Sequence, residues 1–222
     1  MEVFVLKKKE IVKRYVLFII SLFVSALGVA ITKKGELGVS PISSVGNVMS
    51  LKFSAVSLGK WLIIWNCLLI LGQILLLRKN FKLIQLLQIP LSFLFGYFTD
   101  FGMWLVSFIN PQNYISRLGL VILGTVVLGI GVSLAVIANV IMNSGEAFVS
   151  ALSQTVHKEF SSVKIIFDVS CVVVSVILSL VFFDFTVQGT REGTIIAALC
   201  TGFVVKICCG LSKEKLDRVL SN

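Results

Sequence analysis

Residues 118–138 run for 21 positions without a charged side chain, and four of those positions, Gly119, Gly124, Gly129 and Gly131, are glycine. About 20 mainly apolar residues are what a helix needs to cross the hydrocarbon core of a bilayer. In that core each backbone N–H and C=O must find a partner inside the protein, so only helices and closed barrels cross it. A barrel strand would read as about 10 residues of alternating polarity. The runs here are continuous and longer, which excludes a barrel. Comparable runs occupy residues 16–32, 61–77, 83–108, 163–183 and 194–210, the third of them interrupted by Pro90 and carrying Asp100. With 57% hydrophobic and 14% charged residues overall, the chain is too apolar for an ordinary soluble domain, and the lipid bilayer is its first partner.

The net charge of +9 does not point to nucleic acid. Basic residues cluster at the ends of apolar runs and do not line one aromatic-bearing face. Lys7, Lys8, Lys9, Lys13 and Arg14 precede the first run, and Arg78, Lys79 and Lys82 close the second. With six spans and the amino terminus inside, 14 of the 20 Lys and Arg residues fall on the inner side. Lys33, Lys34, Lys52, Lys60, Arg117 and Arg191 stay outside. That asymmetry predicts a multi-pass protein of the bacterial inner membrane with both termini cytoplasmic. The first run reads as a retained signal anchor, since no small-x-small cleavage site follows it. A single His157 and the lack of Cys-x-x-Cys or His-x-x-His spacing argue against a metal or other cofactor. Cys67, Cys171, Cys200, Cys208 and Cys209 lie in or at the ends of apolar runs, where cysteine serves as a small packing residue.

The chain also echoes itself. Residues 62–76 align with 164–178 at an offset of 102, placing Asn66 opposite Asp168 and Trp65 opposite Phe167. A polar, serine-containing segment precedes each, and before that a small-residue turn: Val39-Ser40-Pro41-Ile42 in one half, Ser144-Gly145-Glu146-Ala147 in the other. Three spans per half is an odd number, so the halves would insert in opposite orientations. The predicted fold is all-α: one polytopic membrane domain over residues 1–222, with six transmembrane helices as an inverted 3+3 repeat (about 12–110 and 115–212) and two short half-helices.

Ser40 and Pro41 read as an N-cap and first helical residue, and Ser144 as a cap with Glu146 in the first turn. The helices they open are about 10 to 12 residues long, too short to span. Each either lies in the membrane interface or dips in and returns. In the second case unpaired N–H groups and a positive dipole end face the interior. Asp168 follows Lys164 by four residues, which puts both on one helix face. A carboxylate inside a span costs a few kcal/mol unless paired or wet, so an interior role is its default. Residues 189–194 open the last run, with Thr190 as N-cap, Glu192 suited to the first-turn dipole and Arg191 as a rigid donor fork for an anion. Arg191 at the lipid headgroups is the alternative. Ser40, Pro41, Asn66, Ser144, Glu146, Lys164, Asp168, Arg191 and Glu192 are the candidate ligands of a small-molecule or ion substrate. No nucleophile with a base and no phosphate loop is present, so no enzyme is expected and no catalytic residue is named.

The segments LGVSPISS, SGEAFVSAL, VKIIFDVS and REGTIIAAL, in that order, resemble the YczE/YitT-type family of bacterial integral membrane proteins. The resemblance implies a multi-pass inner-membrane protein and carries no substrate. Glu146, Lys164, Asp168, Arg191 and Glu192 match its motif positions, whereas Gly46-Asn47 departs from a pattern in which proline commonly precedes the asparagine. Three functions fit. One is a small secondary transporter or exporter of a polar or ionic solute. The second is a membrane-embedded substrate-binding subunit of a larger transport complex, with Gly124, Gly129 and Gly131 offering a flat partner surface. The third is a non-transporting scaffold or immunity protein. A homodimer or a partner subunit is compatible with each.

Overall fold

Glycines set the centre of the molecule. The computed structural model describes residues 8–221, so Lys7 of the basic cluster lies outside the described residues. Helix α1 (Lys8–Lys34) crosses α5 (Tyr114–Ala138) backbone to backbone. A Cβ added to Gly28 would sit 2.5 Å from the Leu128 nitrogen, and one on Gly124 2.6 Å from the Thr32 nitrogen. Small residues are how membrane helices reach such contact, since lipid gives no hydrophobic drive between them. Three glycines of α5 are therefore internal, which corrects their reading as a partner surface: Gly124 and Gly131 meet α1, and Gly129 meets Val204.

Six further helices surround this crossing: α2 (Pro41–Lys52), α3 (Leu58–Leu77), α4 (Gln88–Leu105), α6 (Ser144–Val156), α7 (Phe160–Phe182) and α8 (Glu192–Ser221). The described residues contain no strand. Helices α1, α3, α5, α7 and α8 are long and apolar enough to cross a membrane, and the chain is a helical, multi-pass membrane protein. The third predicted span is the exception. Its first part, Leu83–Leu87, winds as a 3-10 turn, and α4 starts only at Gln88. Pro90 explains the start, because a proline in the first turn lacks an N–H that has no helical acceptor anyway. Gln88, Pro90 and Asp100 leave α4, at 18 residues, without a stretch as apolar as those in the other five.

Asp100 works as a cap supplied from a neighbour. Its Oδ2 accepts from Ser57 Oγ at 2.6 Å and its Oδ1 from the Gly59 N–H at 2.8 Å, at the amino end of α3. A carboxylate there satisfies orphan donors and opposes the helix dipole. Asp100→Ala is expected to cost about 2 kcal/mol, within the range for hydrogen bonds to a charged group. The readout is a lower thermal midpoint in detergent; an unchanged midpoint would contradict this role.

Helix α8 does not stop near residue 210 as the apolar run suggests. It continues through the basic tail to Ser221 because the tail is tied to α1. Arg14 pairs with Glu10 at 3.0 Å and Asp217 at 3.2 Å, and donates to the carbonyls of Ile137 and Ala138 at the end of α5. Lys13 donates to the Val219 carbonyl at 3.0 Å. At the other end of α8 the Gly193 N–H donates to the Leu37 carbonyl at 2.8 Å. Thr190 is not the cap of this helix. It is buried, and its hydroxyl donates to Ser175 Oγ at 2.9 Å, while α8 begins two residues later.

The short helices are α2 and α6, of 12 and 13 residues. Neither lies on the surface of the bundle. Ser43 to Val48 of α2 are buried, as are Ser144, Gly145, Ala147, Val149 and Ala151 of α6. Helix α2 packs on α7, and α6 on α3. Lys33, expected in an outer loop, sits in the last turn of α1 and donates to Asn47 Oδ1 at 2.8 Å and Ser50 Oγ at 2.7 Å. Asn47 in turn donates to the Gly189 carbonyl at 2.6 Å. So α2 is bound to α1 and to the loop before α8 through its asparagine, with glycine rather than proline ahead of it.

Candidate functional site: a cavity between two helix amino ends

The amino ends of α2 and α6 meet in the interior. Ser40 is the N-cap of α2 and Pro41 its first residue, as the sequence predicts. The Ser40 hydroxyl does not cap the backbone but bonds the Ser43 hydroxyl at 3.0 Å. In α6 the cap shifts by one. Asn143 is the N-cap, its carbonyl accepting from the Ala147 N–H at 2.8 Å, and Ser144 is the first helical residue. Glu146 therefore stands at the third helical position. Ile42 of α2 lies against Gly145 of α6, where a Cβ would come within 2.8 Å of the isoleucine Cδ1. Gln73 of α3 and Gln88 of α4, both buried, bond each other reciprocally at 3.1 Å, and Gln73 also donates to the Ser144 carbonyl at 3.2 Å. This amide pair fixes where α6 begins.

Around these two ends lies a cavity of about 480 Å³, a size typical of small-ligand sites. Seven of the nine residues singled out from the sequence line it: Ser40, Pro41, Asn66, Ser144, Glu146, Lys164 and Asp168. Arg191 and Glu192 do not. They pair with each other at 3.2 Å at the start of α8, with half-exposed side chains. Lys164 donates to both carboxylate oxygens of Asp168, the two being 25% and 22% exposed. The Glu146 carboxylate pairs with no other side chain among the described residues, yet it lies within electrostatic reach of both Lys164 and Asp168. Ionised, the three carry one net negative charge, set against the positive amino ends of α2 and α6.

Sequence reasoning missed three contributors. Gln88 lines the cavity, as do Ser25 of α1 and Trp65 of α3. The Ser25 hydroxyl and the Trp65 indole N–H are buried without a hydrogen-bond partner. Buried polar groups are normally satisfied, because an orphan costs about 1–3 kcal/mol. Trp65 was legible as the neighbour of Asn66, whereas Ser25 sits within an apolar run and gives no signal. The rest of the wall is apolar, including Phe18, Leu22, Leu62, Phe95 and Leu128. Such a site suits a small molecule with an apolar body and at least one polar or charged group, held by donors at the helix ends and carboxylates opposite.

Comparison with known proteins yields one match. The model of a family of unknown function, DUF6198, covers residues 12–210. No curated protein and no solved structure matches. With most of its length matched, the chain belongs to that family.

Proposed function

Proceeding from that membership, we propose that this chain is a small secondary transporter of the bacterial inner membrane, moving a small ionic solute with an apolar part. The observation that carries the reading is the convergence of two half-helix amino ends with Glu146, Lys164, Asp168 and Asn66 on one cavity. Opposed half-helices at a repeat interface are a recurring way to bind a solute without exposing backbone to lipid. A scaffold would have its charges paired and the interior sealed. Here Glu146 has no side-chain partner among the described residues, and the interior holds a cavity of about 480 Å³.

The inverted repeat draws support from the order and packing of the helices. Helices α3 and α7 start at Leu58 and Phe160, 102 residues apart, and α2 and α6 start at Pro41 and Ser144, within a residue of the same offset. Exchanging the halves maps the packing of α2 on α7 onto that of α6 on α3, and α1 on α4 onto α5 on α8. With α4 as the sixth span, both termini are cytoplasmic, in keeping with the basic clusters. The likeness to YczE/YitT-type proteins agrees with this placement. The reading assigns binding and translocation, and no bond-making chemistry. A binding subunit would differ in needing a partner surface, and the glycines that could have formed one are internal.

A thermal-shift screen tests the site. Purified protein is heated with amino acids, organic anions, nucleosides, vitamins and lipophilic amines, alongside Asp168→Asn and Glu146→Gln. A ligand at 100 times its dissociation constant adds about 2.7 kcal/mol of stability. The expected result is a selective shift lost in both variants. No shift across the panel, with the variants merely less stable, would reverse the proposal.

A further inference from the structure

The two halves are not packed alike. Helix α3 lies against α4 so closely that a Cβ on Gly59 would strike the Gly96 carbonyl oxygen, and Asp100 ties the pair. Their counterparts α7 and α8 make no comparable contact. The cavity wall is accordingly open between α7 and α8. Ile165 of α7 and Ala198 and Gly202 of α8 line the cavity, yet Ile165 is 65% exposed and both α8 residues are exposed. A Cβ on Gly202 would meet nothing within 4 Å. The neighbouring exposed residues on these helices are large and apolar, among them Ile166, Val169, Leu199 and Phe203. That is the composition of a surface facing acyl chains, so the gap opens toward lipid.

The interior end of the gap is built for a ligand. Asn66, Glu146 and the Lys164–Asp168 pair bring polar groups to that end of the cavity. Because Lys164 and Asp168 cancel, an ionised Glu146 leaves a net negative charge, and a cation beside it favours that ionised form. Trp65, Phe18, Phe95 and Phe160 add aromatic faces, which also attract cations. We propose that the cavity takes an amphiphilic monocation, an ammonium head on an apolar body, and that this ligand enters sideways from the bilayer between α7 and α8. The inference rests on the transporter reading above and names its substrate class and route. The head group meets the Glu146 carboxylate, the body lies on the apolar wall, and the solute leaves the membrane without first crossing water.

The test uses the full chain in lipid nanodiscs, with n-octylammonium as probe and octanoate as its charge-reversed counterpart, followed through tryptophan fluorescence. Saturable binding of octylammonium but not octanoate is expected, weakened about tenfold or more in Glu146→Gln, equivalent to one ion pair. Gly202→Trp, at a position with room for the ring, is expected to slow association about tenfold while the melting profile is kept, and Gly202→Leu to slow it less. Octanoate binding as tightly as octylammonium would overturn the substrate class. An association rate unchanged in a folded Gly202→Trp would overturn the lateral route. Flux of octylammonium in proteoliposomes decides the transport reading separately. Binding without flux refutes transport and leaves this site standing, whereas flux indifferent to Gly202→Trp refutes only the route.

Discussion

Gly28→Leu is expected to abolish folding, while Gly119→Leu, in the same bundle, leaves the melting profile within about 0.5 kcal/mol of the parent, as for an ordinary surface change. At Gly28 the new side chain would begin 2.5 Å from the Leu128 nitrogen and 2.8 Å from the Gly124 carbonyl oxygen. Backbone cannot yield as a flexible side chain can, so α1 and α5 must separate. Overpacking a core costs about 1–3 kcal/mol even where side chains can shift; here the loss reaches the whole crossing. Stability totals only about 5–15 kcal/mol for typical domains. At Gly119 nothing lies within 4 Å of the added Cβ. Detergent-solubilised yield by size exclusion, followed by thermal unfolding, reads both variants. Equal melting of the two would mean that the α1–α5 contact is not the organising one.

The second large effect lies in the cavity. Lys164→Ala removes the cation that holds Asp168 and leaves Asp168 and Glu146 as two carboxylates in one largely apolar space. Breaking a buried pair from one side costs about 3–5 kcal/mol. At 25% and 22% exposure the pair is partly solvated, so a loss of about 2 kcal/mol is expected. Lys164→Ala with Asp168→Ala should recover much of it, since the unpaired charge goes with its partner. Thermal unfolding of the two single variants and the double one measures the coupling. Additive losses would show that the two groups do not act as a pair.

Much of this was readable because membrane sequence is blunt. Lipid demands long apolar runs, so the long helices announce themselves, although α1 begins eight residues before its run and α8 ends eleven residues after its own. Ser40-Pro41 marks a helix start by chemistry that does not depend on the partner, and the Asn66–Asp168 offset picked out two polar residues at equal positions along α3 and α7, both on the cavity wall. What escaped depends on neighbours. Whether Arg191 faces inward is decided by the Leu37–Gly193 contact that turns the start of α8, and no local pattern reports it. The tail after residue 210 is helical because Arg14, some 200 residues earlier, holds Asp217. Asp100, legible only as a charge within the third apolar run, caps a helix whose end it reaches only through packing. The Gln73–Gln88 pair needed two spans to be adjacent before either amide had a purpose.

The central claim is that the cavity carries a solute through the membrane, and electrical recording from proteoliposomes on a solid-supported membrane addresses it most directly. Wild-type protein challenged with n-octylammonium is predicted to give a saturable transient current that persists as steady flux, abolished in Asp168→Asn and Glu146→Gln preparations of equal folded content. A current identical in all three, or absent from wild type that still binds the amine, would contradict it.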